Sequence, residues 1–375
     1  MNNKKRTFTD QLLKRRYLIL LAICCLTIIY IGLWWLIIFP FLIICYNLWL
    51  KTLEKYLYYK WKSIVVITGI FILVISIRLF LIEIYTVPSR SMEDEIFIGD
   101  NIVVSKLNYG PKLPQSPGDI PWLDMFFPEK KDSKIRGYRR LSGFTKIVKG
   151  DIIIFNKTNE EHLLIKRCVA TPGDILQIIN GDTYINGTKF NDYLTSKRHY
   201  SATISNVSVF KYYAEYLNFT YSLKDDSASS NSSIYLNLSE KAILEKSGCL
   251  NTITYVKSLD AGYPNHKDFQ WTIDSLGPLT VPARGWSVHL DRRNFELYKP
   301  IIEYENKAIK FNFDSLRNTT YTFSQNYFFA EGDNHSNSSD SRYWGFIPES
   351  SIIGKAVAKL CARDKQGNFQ FFKWL

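Results

Sequence analysis

Residues 163–185 read Leu-Leu-Ile-Lys-Arg-Cys-Val-Ala-Thr-Pro-Gly-Asp-Ile-Leu-Gln-Ile-Ile-Asn-Gly-Asp-Thr-Tyr-Ile, in which short apolar runs alternate with turn residues. The run Ile175–Ile179, the turn Asn180-Gly181-Asp182 and the run Thr183–Ile185 predict a β-hairpin, because Asn-Gly tolerates the positive φ of a two-residue turn. Comparable runs recur along the chain and indicate a mainly β fold. They are Asn101–Val104, Asp151–Phe155, Leu163–Val169 and Tyr327–Ala330.

The same stretch places two basic residues, Lys166 and Arg167, inside an apolar run. Successive side chains of a strand point to opposite faces, so one of the two faces the apolar side. Desolvation disfavours the charged form of a lysine, which can make it a general base near neutral pH. The alternative is an ordinary surface lysine whose ammonium group reaches water.

Two nearly pure apolar segments precede the β region, at residues 17–50 and 63–85. A membrane span needs about 20 apolar residues. Residues 17–50 therefore predict one long kinked span or a hairpin of two, and residues 63–85 predict a transmembrane anchor. Residues 1–16 and 51–62 are basic, which is typical of cytoplasmic flanks and favours the hairpin. The apolar stretch is too long for a cleaved signal peptide.

The rest of the 375-residue chain divides by composition into residues 86–190, 191–325 and 326–375. The middle part is rich in Ser, Asn and Tyr and is predicted to be an inserted subdomain, with a short helix at Glu240–Glu245 capped by Ser239. Residues 110–128 form a proline-rich loop that either packs on a core or dips into a membrane. Cys168, Cys249 and Cys361 lack CxxC spacing, although a single disulfide among them stays open.

The net charge of +12 raises nucleic acid as a partner, but no basic-aromatic array accompanies it, so we expect none. Two further polar clusters stand out beside Lys166. One is Pro88-Ser89-Arg90-Ser91-Met92, directly after the predicted anchor, and the other runs from Gly332-Asp333-Asn334 to Asp340-Ser341-Arg342. Each alone is compatible with a turn. Metal-binding His pairs, Gly-x-Ser-x-Gly elbows and phosphate-binding glycine loops are absent from the sequence.

The order of the motifs resembles that of bacterial signal peptidase I. An anchor is followed by the Ser91 cluster, then by Lys149-Gly150-Asp151, then by Ile165-Lys166-Arg167 with Pro172-Gly173-Asp174, and last by the Gly332 cluster. The resemblance covers roughly 81–190 and 326–360. It implies a coiled antiparallel β catalytic core at 86–190 and 326–375. It also implies a membrane-bound serine endopeptidase without metal or cofactor, placed at the bacterial inner membrane with its catalytic domain on the outer face. Its partners would be exported preproteins and the phospholipid membrane.

The resemblance also implies roles for individual residues. Ser91 would be the nucleophile and Lys166 the general base, a variant of the Ser-His-Asp arrangement. Ser89 would donate to the oxyanion together with the backbone N–H of Ser91, and Ser338 would orient Lys166. Asp340 and Arg342 would form a supporting ion pair. Shallow pockets for small side chains, as in Ala-x-Ala cleavage sites, would be lined by Val87, Pro88, Met92, Ile96 and Ile165.

Several residues depart from the family pattern without removing a catalytic group. Arg90 stands between the two serines, and Glu93, Asp94 and Glu95 replace a stretch that usually contains Pro and Thr. The departing residues also include Ala330, Glu331, His335 and Ser336.

Two alternatives to an active peptidase remain. One is a non-catalytic, membrane-anchored β module that binds exported chains, which would be favoured if Ser91 and Lys166 did not meet. The other is a self-cleaving Ser-Lys regulator, which would carry a DNA-binding N-terminal domain.

Overall fold

A computed structural model describes residues 26, 40–41, 45–46, 59–122, 125, 138–157, 163–190, 196–223, 231–306, 311–316, 319–363 and 367–375. These residues divide into two compact units. The first comprises 1–83 and 105–146, and the second comprises 84–104 and 147–375. All of residues 1–16 and most of the predicted segments 17–50 and 51–62 lie outside the described residues.

Six α-helices and eighteen strands have their bounds among the described residues, and they are numbered here in chain order. The helices are α1 (Tyr59–Phe80), α2 (Val207–Leu217), α3 (Leu238–Lys246), α4 (Arg292–Glu305), α5 (Phe313–Leu316) and α6 (Ser341–Trp344). The first nine strands are β1 (Ile82–Thr86), β2 (Asn101–Ser105), β3 (Ile152–Asn156), β4 (Leu163–Ala170), β5 (Ile175–Ile179), β6 (Asp182–Ile185), β7 (Thr188–Lys189), β8 (Arg198–Ile204) and β9 (Thr220–Ser222). The others are β10 (Asn231–Leu236), β11 (Leu250–Tyr255), β12 (Ser275–Thr280), β13 (Ser287–His289), β14 (Thr320–Thr322), β15 (Tyr327–Glu331), β16 (Ile347–Pro348), β17 (Ile352–Arg363) and β18 (Phe369–Trp374).

The main sheet has eight strands in the order β1-β2-β17-β3-β4-β15-β16, with β18 paired to β17. Its pairs β3–β4, β4–β15 and β3–β17 are antiparallel. Register shifts occur in β17 between Ile352 and Gly354 and in β15 between Phe329 and Ala330. Such bulges bend a strand and increase its twist, so they curl the sheet. The prediction of a mainly β, antiparallel fold is confirmed.

The predicted hairpin is also present. Strand β5 pairs with β6 in the register Ile178↔Thr183 and Ile179↔Asp182. The two turn residues, Asn180 and Gly181, have φ values of 53° and 79°. These positive values explain why Asn-Gly occupies this turn. This hairpin and β12 build a second sheet, in which β12 pairs with β5.

The predicted helix at Glu240–Glu245 is longer than expected and begins at a different cap. Helix α3 runs from Leu238 to Lys246, and its N-cap is Asn237 rather than Ser239. The Asn237 side chain accepts a hydrogen bond from the Glu240 N–H at 2.9 Å, and the Glu240 carboxylate accepts from the Asn237 N–H. The reciprocal pair satisfies two N–H groups of the first turn. Ser239 instead donates its hydroxyl proton to Asn237 Oδ1.

The region predicted as one insertion, residues 191–325, contributes to two different apolar cores. Residues 198–223 and 231–255 form the sheet β11-β8-β10-β9 with α2 and α3, around a core that includes Phe210, Ile234 and Leu244. Residues from 263 onward share another core with the catalytic region, in which Tyr298 and Phe346 stack. Strand β12 joins this second part to β5 by backbone hydrogen bonds. Only the first part therefore has a core of its own.

In the first unit, salt bridges hold the C-terminal end of α1. Arg78 and Lys106 both bind the carboxylate of Glu83, at 3.0 and 2.8 Å. Lys106 also donates to the Arg78 carbonyl at 2.8 Å. In the proline-rich loop, Trp122 stacks on Phe71 of α1 with ring centroids 5.3 Å apart. Residues 123–124 and 126–128 of this loop lie outside the described residues.

Helix α1 ends at Phe80, so the last residues of the predicted anchor at 63–85 belong to strand β1. None of the helices in the described ranges is long and apolar enough to cross a membrane. The transmembrane assignments of residues 17–50 and 63–85 stay predictions. Cys168, Cys249 and Cys361 are free, so the disulfide left open by the sequence is not formed.

Candidate active site

The site lies in the second unit, where the turn after β1 meets the middle of β4. Lys166 Nζ donates to Ser91 Oγ at 2.6 Å, across 75 residues of sequence. It also donates to the Ile165 carbonyl at 3.1 Å. Ser91 is 7% exposed and Lys166 is 2% exposed. A serine hydroxyl is thus held against a buried amine, the arrangement that allows the amine to take its proton.

The amine is suited to this role because of its surroundings. Burial lowers the pKa of Lys166 to about 8, against an opposing contribution from the Asp340 carboxylate. Arg342 lowers this pKa further and Asp333 raises it. The neutral amine needed for general-base chemistry therefore forms within a unit or so of physiological pH.

The pH dependence of cleavage follows from this value. If Lys166 is the general base, it works only when deprotonated, so kcat/KM is expected to rise with pH, reach half its maximum near pH 8 and level off above it. Initial rates of peptide cleavage between pH 6 and 10 check this. A half-maximum near pH 10.5, the ordinary lysine value, would contradict the assignment of Lys166.

Next to the pair stands Ser89, whose Oγ is 3.3 Å from Ser91 Oγ. In the described part of the chain, the backbone N–H of Ser91 has no hydrogen-bond acceptor. One hydroxyl and one backbone N–H are thus available beside Ser91 Oγ. This is the pair of donors that the sequence resemblance implies for the oxyanion.

Asp340 and Arg342 form a buried, bidentate ion pair near Lys166. Arg342 Nε and Nη2 donate to Asp340 Oδ1 and Oδ2, each at 2.9 Å. Asp340 also accepts from the Gly332 N–H at 3.0 Å, and Arg342 donates to the His335 carbonyl. Burial alone would raise the pKa of Asp340, but the charge and hydrogen bonds of Arg342 outweigh burial and hold that pKa below its usual range. The pair thus stays charged.

The hydrogen bond expected between Ser338 and Lys166 is not formed. Ser338 Oγ is buried and has no hydrogen-bond partner among the described residues. The two acceptors of Lys166 Nζ are Ser91 Oγ and the Ile165 carbonyl instead. Ser338 does pack close to the nucleophile turn, since a Cβ at Gly332 would lie 2.2 Å from Ser338 Oγ and 2.5 Å from the Ser91 carbonyl oxygen.

This close packing predicts that Gly332→Ala lowers kcat by about 100-fold, because the methyl group must displace Ser338 or Ser91 and small displacements at a reacting centre are costly. Steady-state cleavage by the purified variant checks this. Gly285→Ala is the control for backbone strain without a clash: Gly285 has φ 80°, so the substitution costs stability, but no atom lies within 4 Å of the added methyl group and kcat should not change. A Gly332→Ala enzyme with normal kcat would contradict the packing argument.

Four of the five predicted pocket residues, Val87, Met92, Ile96 and Ile165, belong to one apolar cluster. Met92 and Ile96 are almost completely buried, so they form the interior of a wall rather than an open surface. Pro88 is exposed. The pocket assignment stays a prediction.

Sequence reasoning gave no role to three groups that the structure brings to the site. Asn334 donates its backbone N–H to the Ser91 carbonyl at 3.0 Å and its side-chain amide to the Arg90 carbonyl at 3.1 Å. Arg167, the neighbour of Lys166 on β4, donates to Asp333 at 2.8 Å. Asn334 and Asp333 stand in a motif that the sequence did single out. Lys197, close to Asp94, carries no sequence signal.

A serine hydroxyl in hydrogen-bond contact with a desolvated lysine, with two donors beside it, is the arrangement expected of a serine hydrolase of the Ser-Lys type. Comparison with known proteins narrows this class. The signal peptidase, peptidase S26, family matches residues 60–240 and 279–361. The chain belongs to this family and is a serine endopeptidase that cleaves signal peptides.

Individual signal peptidases are similar in sequence to this protein over most of its length. The signal peptidase I of Buchnera aphidicola subsp. Acyrthosiphon pisum is 26% identical over 316 residues, which cover 83% of this chain and 78% of the relative. The signal peptidase I of Helicobacter pylori J99 is 24% identical, covering 76% and 77%. That of Pseudomonas aeruginosa is 23% identical, covering 76% and 67%.

Proposed function

We propose that Ser91 attacks the scissile carbonyl of a signal peptide while Lys166 takes its proton, so that an acyl-enzyme forms and is then hydrolysed. The observation that carries this proposal is the 2.6 Å contact between Lys166 Nζ and Ser91 Oγ in a buried setting. After attack, the protonated Lys166 delivers its proton to the leaving amine. It next deprotonates the water that releases the acyl group. The meeting of the two side chains disfavours the non-catalytic binding module.

The oxyanion of the tetrahedral intermediate would be held by the Ser89 hydroxyl and the Ser91 N–H. Their position beside Ser91 Oγ supports this role. Donors fixed in advance stabilise the developing charge without reorganisation. Asp340 and Arg342 would act on the same step indirectly, by setting the electrostatic environment of Lys166.

The substrate would bind as an added strand beside β4. Residues Leu163–Lys166 pair with β3, and β15 pairs with β4 only from Arg167 to Ala170. In the described residues, the edge opposite β3 is therefore open at Leu163–Lys166, next to the reacting groups. An extended peptide can hydrogen-bond to such an edge. Small side chains would face the apolar cluster of Val87, Met92, Ile96 and Ile165, with Pro88 at its rim.

The enzyme would work at the bacterial inner membrane with its catalytic region, residues 86–190 and 326–375, on the outer face. The apolar segments 17–50 and 63–85, with basic residues in 1–16 and 51–62, support this placement. Many apolar side chains of α1 are exposed, including Ile67 and Phe71. A nucleophile a few residues beyond an anchor would share a plane with the cleavage sites of membrane-inserted signal peptides. A shared plane raises their effective concentration.

The test is cleavage of a purified preprotein with an Ala-x-Ala site by the full-length, detergent-solubilised chain. Mass spectrometry should find a single cut after the last Ala, and replacing that Ala by Leu in the substrate should abolish it. A heat-inactivated sample is the control for contaminating proteases. Cleavage elsewhere, or equal cleavage of the Leu substrate, would refute the proposed specificity.

A further inference from the structure

The turn that carries Ser91 continues into Glu93-Asp94-Glu95, three acidic residues that the mechanism does not use. Asp94 has φ 88°, a region that side-chain-bearing residues enter at a cost. Such a conformation persists only where its surroundings hold it. The groups around Asp94 therefore bear on how the nucleophile turn keeps its shape.

Two side chains from residues 196–255 hold the Asp94 carboxylate. Lys197 Nζ lies 3.5 Å from Oδ1, and the Asn237 side-chain amide donates to Oδ2 at 2.7 Å. The Asp94 and Lys197 side chains are 3% and 5% exposed, so the ion pair is buried. The Asn237 side chain is itself fixed, because its oxygen caps α3.

The backbone of Lys197 is bound to the segment that also binds Ser91. The Lys197 N–H donates to the Asp333 carbonyl at 2.8 Å, and the Lys197 carbonyl accepts from the His335 N–H at 2.9 Å. Between these two residues, Asn334 donates to the Ser91 carbonyl at 3.0 Å. Lys197 therefore joins Asp94 to the backbone that fixes the nucleophile.

The far end of the turn is anchored independently. Lys359 of β17 donates to the Glu95 carbonyl at 2.8 Å and lies 3.5 Å from the Asp100 carboxylate. Lys359 is 3% exposed. The turn is thus held by Asn334 at Ser91, by Lys359 at Glu95, and between them by Lys197 and Asn237 at Asp94. Only the contacts to Asp94 come from residues outside the catalytic β region of 86–190 and 326–375.

We propose that Asp94 and Lys197, supported by Asn237, are positioning residues that hold Ser91 Oγ within reach of Lys166. This inference rests on the proposed role of Ser91 as the nucleophile. It gives a role in catalysis to Asp94, one of the acidic residues at which the turn departs from the family pattern, and to Lys197 and Asn237 of the insertion at 191–325. The ion pair touches neither substrate nor reacting atoms and acts through the position of Ser91.

The test uses Asp94→Asn, Lys197→Met and the double variant of the full-length protein. Asn tolerates the same positive φ, so Asp94→Asn removes charge without imposing backbone strain. Each single variant removes the opposite charge from beside a buried charged side chain, which lowers the thermal midpoint. The double variant removes both charges, so its midpoint should return close to that of the wild type.

If the pair positions Ser91, kcat falls about tenfold in all three variants, because misplaced reacting groups lose rate. KM should stay within about twofold, since the groups proposed to bind substrate are untouched, and the half-maximal pH of kcat/KM should not move. A double variant that regains both stability and wild-type kcat would refute the proposal and leave the pair a purely structural role.

Two controls separate this outcome from a failure of the proposed function. Arg292→Met breaks the exposed pair with Asp268 and should leave kcat and stability unchanged. Ser91→Ala tests the nucleophile itself. An inactive Ser91→Ala enzyme with a fully active double variant refutes only the positioning role, whereas an active Ser91→Ala enzyme refutes the proposed function as well.

Discussion

Replacing Ser91 by Ala, or Lys166 by Met, is expected to lower kcat/KM for a preprotein by about 10⁴-fold or more. Ser91→Ala removes the atom that attacks. Lys166→Met keeps an unbranched side chain of nearly the same length but removes the amine 2.6 Å from that atom. A 10⁴-fold loss corresponds to about 5.4 kcal/mol of transition-state stabilisation. Single-turnover cleavage with excess enzyme measures the residual rate.

The double variant distinguishes a working pair from two independent contributions. Because Lys166 acts by activating Ser91, the double variant should be about as slow as the slower single variant. Lys189→Met is a matched control, since Lys189 is half-exposed and pairs with Asp182 on the surface. Losses that multiply in the double variant, or a Lys166→Met enzyme with wild-type activity, would show that the two residues do not act together.

Asp340→Asn is expected to destabilise the fold by about 3–5 kcal/mol and to shift the pH profile to lower pH. The stability loss arises because the Arg342 guanidinium stays buried and charged after its carboxylate partner is removed. Asn retains the size of the side chain and an acceptor for the Gly332 N–H. Denaturant unfolding of the variant measures the loss.

The sign of the pH shift follows from the charges around Lys166. Asp340 raises the pKa of Lys166 and Arg342 lowers it, so removing the carboxylate leaves only the lowering influence of this pair. The half-maximal pH of kcat/KM should therefore fall below about 8. The double variant Asp340→Asn/Arg342→Met removes both charges and should recover part of the stability. A profile that stays in place or moves to higher pH would exclude electrostatic control of Lys166 by this pair.

Local sequence signals predicted the elements of the fold more accurately than their assembly. The Asn180-Gly181 turn and its flanking strands were predictable because the positive φ requirement is set within the turn itself. The cap of α3 was misassigned to Ser239, since Ser and Asn both cap helices and only the reciprocal bond with Glu240 distinguishes them. The division of residues 191–325 between two cores depends on contacts such as β12 with β5, which no local pattern encodes.

By itself, the sequence determined the family and the mainly β character, because these follow from ordered motifs and local periodicity, and it singled out Ser91 and Lys166 as the candidate reacting pair. Only the tertiary structure decided that Lys166 Nζ lies 2.6 Å from Ser91 Oγ and that burial lowers the pKa of Lys166. It also decided that Lys197 binds Asp94 and that Ser338 does not bind Lys166. Desolvation and contacts between residues far apart in sequence arise only when the chain is packed, so they cannot be read from one segment at a time.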